Sequence, residues 1–335
     1  MGKRCINRRL LSALSAAVLI LWSAPSAFAK ELVVGGQAVG IQVETRGALV
    51  AGITQVETAE GIKKPAQEAG LREGDVICAL DGETVFSASE LIERIASSDG
   101  EAAELSVRRN GESVRIAVTP VKSKDGKWML GMWLRDGISG IGTVTFTDPG
   151  SGIYGALGHS ISESEGGGDI PVDKGVITDA EIVGVNPAAA GRPGELNGCS
   201  DSGKILGSID SNTAHGIFGK AAGPLGDRRL DTGTVTTGKA SILCTLQGRR
   251  CEEYAVEINR IYKDSAGEHV MLTVTDPKLL ERTGGIVQGM SGSPIIQNGM
   301  IVGAVTHVFV NDPTRGYGVS IQDMLRSAGV ADVAA

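Results

Sequence analysis

The chain has 335 residues, 41% of them hydrophobic, which is enough for two or three domains with buried cores. Aromatic residues make up only 4% and glycines number 48, a bias that favours turns and short strands over long helices. The net charge of -7 provides no electrostatic basis for binding nucleic acid, so no nucleic-acid partner is expected.

Residues 1–29 have the pattern of a secretory signal. A basic start, from Lys3 to Arg9, precedes the mostly apolar run Leu10–Trp22, and Ala27-Phe28-Ala29 fits a small-x-small cleavage site. The run is shorter than the about 20 residues that a membrane span needs. The pattern therefore favours a cleaved signal over a retained N-terminal anchor, and either one places the remaining chain outside the cytoplasm.

Residues 30–122 are predicted to form one small α+β module. Its elements combine strand-length apolar runs, turn signals and one apolar pattern at helical spacing. They are a strand at Ala48–Ile53, a helical turn at Ala66–Leu71, a strand at Gly74–Leu80, a helix at Ser87–Ser97, and a hairpin in which Leu105–Val107 and Val114–Val118 flank Asn110-Gly111.

This module resembles bacterial PDZ domains in the stretch Ala69–Ile77 and the turn Asp81-Gly82. The resemblance places the loop that holds a peptide's terminal carboxylate at Val39-Gly40-Ile41-Gln42-Val43, with Val39, Gly40, Ile41 and Val43 as peptide-binding residues. Exposed N–H groups in such a loop bind an anion, and the following strand edge accepts a peptide. The alternative is that the module only packs against its neighbour.

After the polar linker Lys122–Lys127, residues 128–330 contain short apolar runs that glycines and other turn residues separate. Most of these runs are of strand length, a pattern typical of an all-β sandwich or barrel. The sequence therefore predicts a mainly β second domain.

A serine loop in this domain is the sharpest candidate for chemistry. In Gly289-Met290-Ser291-Gly292-Ser293-Pro294 the glycines permit a tight turn with an exposed hydroxyl. We expect Ser291 to be a nucleophile, with the N–H groups of Gly289 and Ser291 as an oxyanion hole. The loop resembles the nucleophile motif of chymotrypsin-like peptidases. Ser293 is the alternative nucleophile, although Pro294 makes it a poorer match, and a simple hairpin turn is the non-catalytic alternative.

A serine hydroxyl needs a general base, and the chain has only four histidines. We expect His159, in the run Gly155–Ile161, to be that base, because small neighbours let an imidazole reach across a cleft and because His precedes Ser in chymotrypsin-like enzymes. His307 is the rival, on a predicted strand. His215 and His269 are expected at the surface.

A carboxylate is expected to fix the tautomer of the base. Asp276, at the end of an apolar run and before Pro277, is the candidate, and Asp210 is the alternative. Asp276 lies much closer before the serine than the acid does in chymotrypsin topology. Asp before Pro is also a common turn cap.

Several long stretches together resemble the SpoIVB peptidase family. They are Tyr154–His159, Asn212–Gly219, Thr283–Ile296, Gly303–Pro313 and Gly316–Gly318. The resemblance implies a PDZ-like module followed by a chymotrypsin-like double β-barrel, with His159 as base, Ser291 as nucleophile and Asp276 as third member. No spacing of cysteines and histidines in the sequence resembles a zinc site, and no metal or cofactor is expected.

That family acts in endospore formation, and its biology sets further expectations. The resemblance implies export across the forespore membrane into the intermembrane space, self-cleavage in trans, and cleavage of a membrane-bound regulator of an intramembrane protease, which activates a sigma factor. The alternative function is a non-catalytic PDZ scaffold that binds protein tails. The disulfide state of Cys244 and Cys251 stays open.

Overall fold

The computed structural model describes residues 29–109, 111–162, 172 and 174–330 of the protein. The predicted signal therefore lies outside the described residues, except for Ala29. The described chain is mainly β, as the sequence predicted. Among the helices that are described, no helix has the length and apolarity that crossing a membrane requires.

The elements before residue 130 are short, apart from the second strand. In chain order they are β1 (Glu31–Val34), β2 (Ala38–Ile53), β3 (Val56–Thr58), β4 (Gly61–Lys63), α1 (Pro65–Glu68), β5 (Val76–Leu80), β6 (Glu83–Thr84), α2 (Ala88–Ala96), β7 (Ala103–Arg109), β8 (Glu112–Val118), β9 (Val121–Lys122) and β10 (Trp128–Met129).

Longer strands follow, with two short helices. They are β11 (Met132–Thr147), β12 (Ile153–Ala156), β13 (Lys174–Asn186), β14 (Glu195–Ser208), β15 (Ser211–Thr213), β16 (Gly216–Lys220), β17 (Arg228–Asp231), β18 (Gly238–Gln247), β19 (Arg250–Asp264), β20 (Gly267–Val274), α3 (Pro277–Thr283), β21 (Pro294–Gln297), β22 (Met300–Phe309), β23 (Asp312–Ser320) and α4 (Ile321–Ser327).

The PDZ-like module forms around α2 and the antiparallel strands β5, β7 and β8. The hydroxyl of Ser87 accepts a hydrogen bond from the Glu90 N–H and caps α2. Leu91 and Ile95 then lie on the buried face of the helix, within a core that includes Leu105. The predicted helix and the β7–β8 hairpin are both present.

The module is inserted between two strands of a larger sheet. β2 and β11 are antiparallel partners over most of their length, from Ala38 opposite Thr143 to Ile53 opposite Met132. The first part of β2 also pairs with β13, and β1 pairs with β11 and β17. Residues 31–45 therefore belong to the second domain, whereas the sequence-based boundary at residue 30 assigned them to the module.

The prediction of a carboxylate-binding loop at residues 39–43 is wrong. Gly40 lies opposite Ile141 of β11 on one edge of β2 and opposite Thr178 of β13 on the other. Both edges are therefore occupied, and Val39, Ile41 and Val43 are buried in the core. A Cβ at Gly40 would overlap Ser200 and Thr178, so close packing explains this glycine.

The second domain has two β-rich halves, and the cleft described below, which Ser291 and His159 line, lies between them. In the first, β1, β2, β11, β12, β13 and β16 share the sheet that continues into the module. In the second, β18–β23 form a closed antiparallel barrel in the order β18-β19-β20-β23-β22-β21. β12 leads to His159, and β21 follows Ser291. The two candidate catalytic residues thus come from different halves.

The strand register keeps Cys244 and Cys251 on opposite faces. Cys251 lies opposite Thr245, and Cys244 lies opposite Glu252. Because neighbouring residues of a strand point to opposite faces, the two side chains do not meet. Cys244 is a buried thiol, and burial raises its pKa above the usual range. The six-residue loop disulfide is therefore absent from this arrangement.

Candidate active site

The loop before β21 turns through two glycines with positive φ. Gly289 has φ 95° and Gly292 has φ 94°, values that favour glycine. A Cβ at Gly292 would also overlap the carbonyl group of Thr143. Met290 is buried between them, and Ser291 is partly exposed in the cleft. The sequence Gly-Met-Ser-Gly therefore produces the exposed hydroxyl that was predicted.

Strand β11 fixes this loop from the other half of the domain. The Thr143 N–H donates to the Ser291 carbonyl at 3.0 Å, and Thr143 Oγ1 donates to the Gly289 carbonyl at 2.8 Å. Thr145 Oγ1, which is buried, donates to the Gly292 carbonyl at 2.7 Å. These bonds hold the serine at the junction of the two halves.

The backbone leaves two N–H groups of the loop available. Within the described part of the chain, the N–H groups of Gly289 and Ser291 donate to no protein acceptor. Their neighbours do: the Met290 N–H donates to Val287 at 3.1 Å, and the Gly292 N–H donates to Val305 at 2.8 Å. Gly289 and Ser291 are the residues predicted to form an oxyanion hole.

Ser293 does not compete with Ser291. Its side chain is buried, and its hydroxyl donates to the Met290 carbonyl at 2.6 Å. That bond stabilises the turn from inside. Ser293 is absent from the residues that line the cleft, whereas Ser291 is one of them.

His159 follows β12 and two residues with positive φ, Leu157 and Gly158. Its Nδ1 lies 2.7 Å from the Ser160 carbonyl oxygen. Because a carbonyl group only accepts hydrogen bonds, this contact places the proton of the neutral ring on Nδ1 and leaves Nε2 as the basic nitrogen. The backbone thus selects the tautomer that a general base requires.

His159 is also in contact with His307. The two ring centroids are 4.4 Å apart, with an angle of 35° between the planes. The pKa of His159 is lowered to about 4: burial is the largest cause, His307 acts in the same direction, and the bond to Ser160 partly opposes them. The sequence identified His307 as a rival base; its position beside His159 could not be read from sequence spacing.

Ser291 and His159 line one cleft of about 660 Å³, together with His307. In this structure Ser291 Oγ donates to the Thr306 carbonyl at 2.7 Å. A rotation of the hydroxyl away from that carbonyl would be needed to engage the base. The sequence did not indicate the Thr306 carbonyl, because backbone acceptors leave no signature in residue type.

Residues 126–325, more than half of the chain, match the SpoIVB peptidase S55 family, and residues 60–109 match a PDZ domain. The chain belongs to the SpoIVB peptidase family. The predicted family is confirmed, and the matched family and the relatives below are proteases, in keeping with the predicted class of serine endopeptidase.

This SpoIVB-family chain is also similar to other proteases. It is 27% identical over 223 residues to a probable periplasmic serine endoprotease DegP-like of Brucella suis biovar 1 (strain 1330), covering 57% of this chain and 41% of that one. It is 45% identical over 56 residues to serine protease HTRA1 of Xenopus laevis, covering 17% and 12%. The chain thus spans less than half the length of these relatives.

Among solved structures, the chain is similar to the active form of the Rv3671c protease from M. tuberculosis. The TM-score is 0.33 at 13% identity, and the similarity covers 59% of this chain and 78% of that one.

Asp276 lies elsewhere in the SpoIVB-family chain, at the N-cap of α3. Its Oδ1 accepts the N–H groups of Lys278 at 2.9 Å and Leu279 at 3.3 Å, and its Oδ2 accepts the Ala255 N–H at 3.2 Å. Asp276 does not line the cleft, and the Ser160 carbonyl occupies Nδ1 of His159. The structure therefore does not bring Asp276 to the base, which differs from the prediction, and shows the cap that was the alternative.

Asp210 does not replace Asp276. Its side chain is exposed, its N–H donates to the Phe218 carbonyl at 2.8 Å, and it does not line the cleft. The site that the described residues form is therefore a serine and a histidine with backbone partners.

The histidines expected at the surface lie on the far side of His159. His215 and His269 share a recess of about 240 Å³ with His159 and His307. His215 contacts Ser327 Oγ and the Ala266 carbonyl, and His269 pairs with Asp264 at 2.9 Å. Among the residues that are described, no group of three or more His, Cys, Asp or Glu is arranged to hold a metal ion.

Proposed function

We propose that this chain hydrolyses peptide bonds with Ser291 as nucleophile and His159 as general base. The supporting observation is that one cleft brings together the Ser291 hydroxyl, the His159 imidazole with its proton on Nδ1, and two backbone N–H groups that donate to no acceptor among the described residues. These are the three components that acyl transfer requires.

The reaction proceeds in two steps. Nε2 of His159 removes the proton of Ser291 Oγ as the oxygen attacks the peptide carbonyl carbon, and the imidazolium then returns that proton to the leaving amine. A water molecule, deprotonated by His159, releases the acyl group and restores the serine. The Gly289 and Ser291 N–H groups stabilise the negative oxygen, each by about 2.7–4 kcal/mol.

In this mechanism the Ser160 carbonyl performs the orienting role that an aspartate has in a triad. It fixes the Nδ1–H tautomer and stabilises the imidazolium as the charge forms. A carbonyl dipole supplies less stabilisation than a carboxylate. The catalytic unit is therefore a dyad, and Asp276 contributes to folding.

Labelling with a fluorophosphonate probe tests the nucleophile. We expect wild type and Ser293→Ala to be labelled and Ser291→Ala to remain unlabelled, with all three showing the same far-UV circular dichroism. Labelling of a folded Ser291→Ala variant would overturn the assignment.

For the biological role, the proposal follows the family resemblance. The chain is exported from the forespore into the intermembrane space, cleaves itself in trans, and cuts a membrane-bound regulator of an intramembrane protease. Mass spectrometry of the secreted protein beside its Ser291→Ala variant tests self-processing. Identical N-termini in the two proteins would contradict self-cleavage, and their position in the chain would then distinguish removal by a signal peptidase from a retained anchor.

The PDZ-like module is proposed to bind the C-terminal tails of proteins, at a different place from the one predicted. Among the described residues, β11 pairs only with β2 over residues 132–135, so its other edge is available to a peptide strand. Just before it, the N–H groups of Leu130 and Gly131 donate to no described acceptor, and Gly131 has φ 72°. Such N–H groups suit a terminal carboxylate.

Fluorescence anisotropy with the Ser291→Ala protein tests this second activity. A peptide with a free C-terminal carboxylate should bind more tightly than the same peptide with an amidated end. Equal affinities would contradict carboxylate recognition. If tails bind and the fluorophosphonate labels nothing, the non-catalytic scaffold is the better description.

A further inference from the structure

The cleft beside Ser291 has an uncharged, mainly aliphatic lining. Of the described residues that line it, none is Asp, Glu, Lys or Arg. The aliphatic members come from both halves of the domain and include Ile138, Ile141, Leu157, Ile286, Val308 and Val310. A charged side chain placed here would lose hydration without gaining an Asp, Glu, Lys or Arg partner among the described residues.

One side of this cleft directly precedes the nucleophile. The segment Ile286–Gly289 is anchored at both ends: the Ile286 N–H donates to the Pro313 carbonyl at 2.8 Å, and the Gln288 N–H donates to the Gly194 carbonyl at 2.9 Å. The opposite side is the end of β22, which Ser291 Oγ contacts through the Thr306 carbonyl. The walls are therefore fixed by backbone hydrogen bonds rather than by mobile side chains.

Ile286 lines the cleft and packs against Gly316 of β23. Ile286 is buried, and a Cβ at Gly316 would overlap its Cδ1 atom. The isoleucine thus occupies the space that the missing Gly316 side chain leaves between β23 and the 286–289 segment. Ile286 and Tyr317 of β23 both line the cleft, so a side chain that enters from the Ser291 end packs against them.

We propose that this cleft is the subsite for the residue whose carbonyl is attacked, and that it selects aliphatic side chains of the size of alanine, valine and leucine. The inference rests on the proposed peptidase function. When the substrate carbonyl oxygen lies at the Gly289 and Ser291 N–H groups, the side chain on the acyl side is beside the 286–289 segment and β22. Ile286 disfavours large aromatic side chains, and the described lining offers basic and acidic ones no charged partner.

A proteome-derived peptide library, digested by the full chain and read by mass spectrometry, gives the preference at this position. Cleavages absent from a parallel Ser291→Ala digest are counted, and fluorophosphonate labelling measures the fraction of active protein beforehand. We expect alanine, valine and leucine to be favoured about 100-fold over lysine, arginine, aspartate and glutamate.

Ile286→Ala should raise the ratio of cleavages after phenylalanine to cleavages after valine by about 10-fold or more, because the smaller side chain leaves room for an aromatic ring. Ile258→Ala is the matched control: Ile258 is equally buried on β19 but does not line the cleft. It should lose stability without changing the ratio.

The outcomes separate the two proposals. Labelled enzyme that cleaves after charged residues, or a ratio that Ile286→Ala does not move, overturns the subsite and leaves the peptidase function standing. A protein that the fluorophosphonate does not label, and that cleaves nothing, overturns the peptidase function and the subsite together.

Discussion

Replacing Asp276 by asparagine separates a helix cap from a catalytic acid. Asparagine is as good an N-cap as aspartate. Its side-chain oxygen can keep the bonds from Lys278 and Leu279, while its NH₂ group faces the Ala255 N–H in place of Oδ2. One backbone donor loses its acceptor, so we expect Asp276→Asn to lower the free energy of unfolding by about 1 kcal/mol.

Replacing Asp276 by alanine removes all three hydrogen bonds that its carboxylate accepts, from Lys278, Leu279 and Ala255. The loss of the cap costs about 1 kcal/mol, and the Ala255 N–H loses its acceptor for about another 1 kcal/mol. We therefore expect Asp276→Ala to be less stable than wild type by about 2 kcal/mol. Urea unfolding followed by circular dichroism measures both differences, and an unchanged m-value indicates that the same surface unfolds.

The activity of the two variants is the decisive observation. Below the unfolding transition, kcat/KM on a peptide substrate should stay within a few-fold of wild type for Asp276→Asn, because His159 keeps its Ser160 partner. If Asp276 oriented the base, the same change would reduce kcat by about 10⁴-fold, since the asparagine amide favours the wrong tautomer. A fall of that size in a stable, folded variant would refute the dyad and restore the triad.

Three further predictions follow from the site. The acid limb of the pH profile of kcat/KM should have its midpoint well below 6.5, the ordinary pKa of histidine, because the pKa of His159 is lowered to about 4. A midpoint at 6.5 would contradict the burial of His159. Between pH 6.5 and pH 4, His159 is protonated in the unfolded chain but neutral in the folded protein. The free energy of unfolding should therefore fall as the pH drops from 6.5 to 4. Thr145→Val keeps the shape but leaves the buried Gly292 carbonyl without its donor, so chemical denaturation should show a loss of about 1–3 kcal/mol.

Local sequence signals predicted the parts of the site that depend on neighbouring residues. The glycines around Ser291 require positive φ at fixed positions, and the small residues before His159 permit the turn after β12. The predicted helix at Ser87–Ser97 is also local, because Ser87 accepts the Glu90 N–H as the N-cap of α2.

Features that depend on distant pairing could not be predicted in the same way. The run Val39–Val43 alternates as any strand does, and only its pairing with β11 and β13, from far along the chain, shows that both edges are occupied. Asp276 before Pro277 suits a cap and a catalytic acid equally well in sequence. The Ser160 carbonyl is a backbone group, so no residue type could indicate it.

The shared strands β2 and β11 have a consequence for any attempt to isolate the catalytic half. The family match starts at residue 126, yet β1 and β2 contribute Leu32, Val34, Val39 and Ile41 to cores beyond that point. A truncated fragment that begins there would lack two strands and expose the apolar surfaces they cover. The PDZ-like module and the peptidase domain therefore share strands, and a cut at residue 126 would disrupt both.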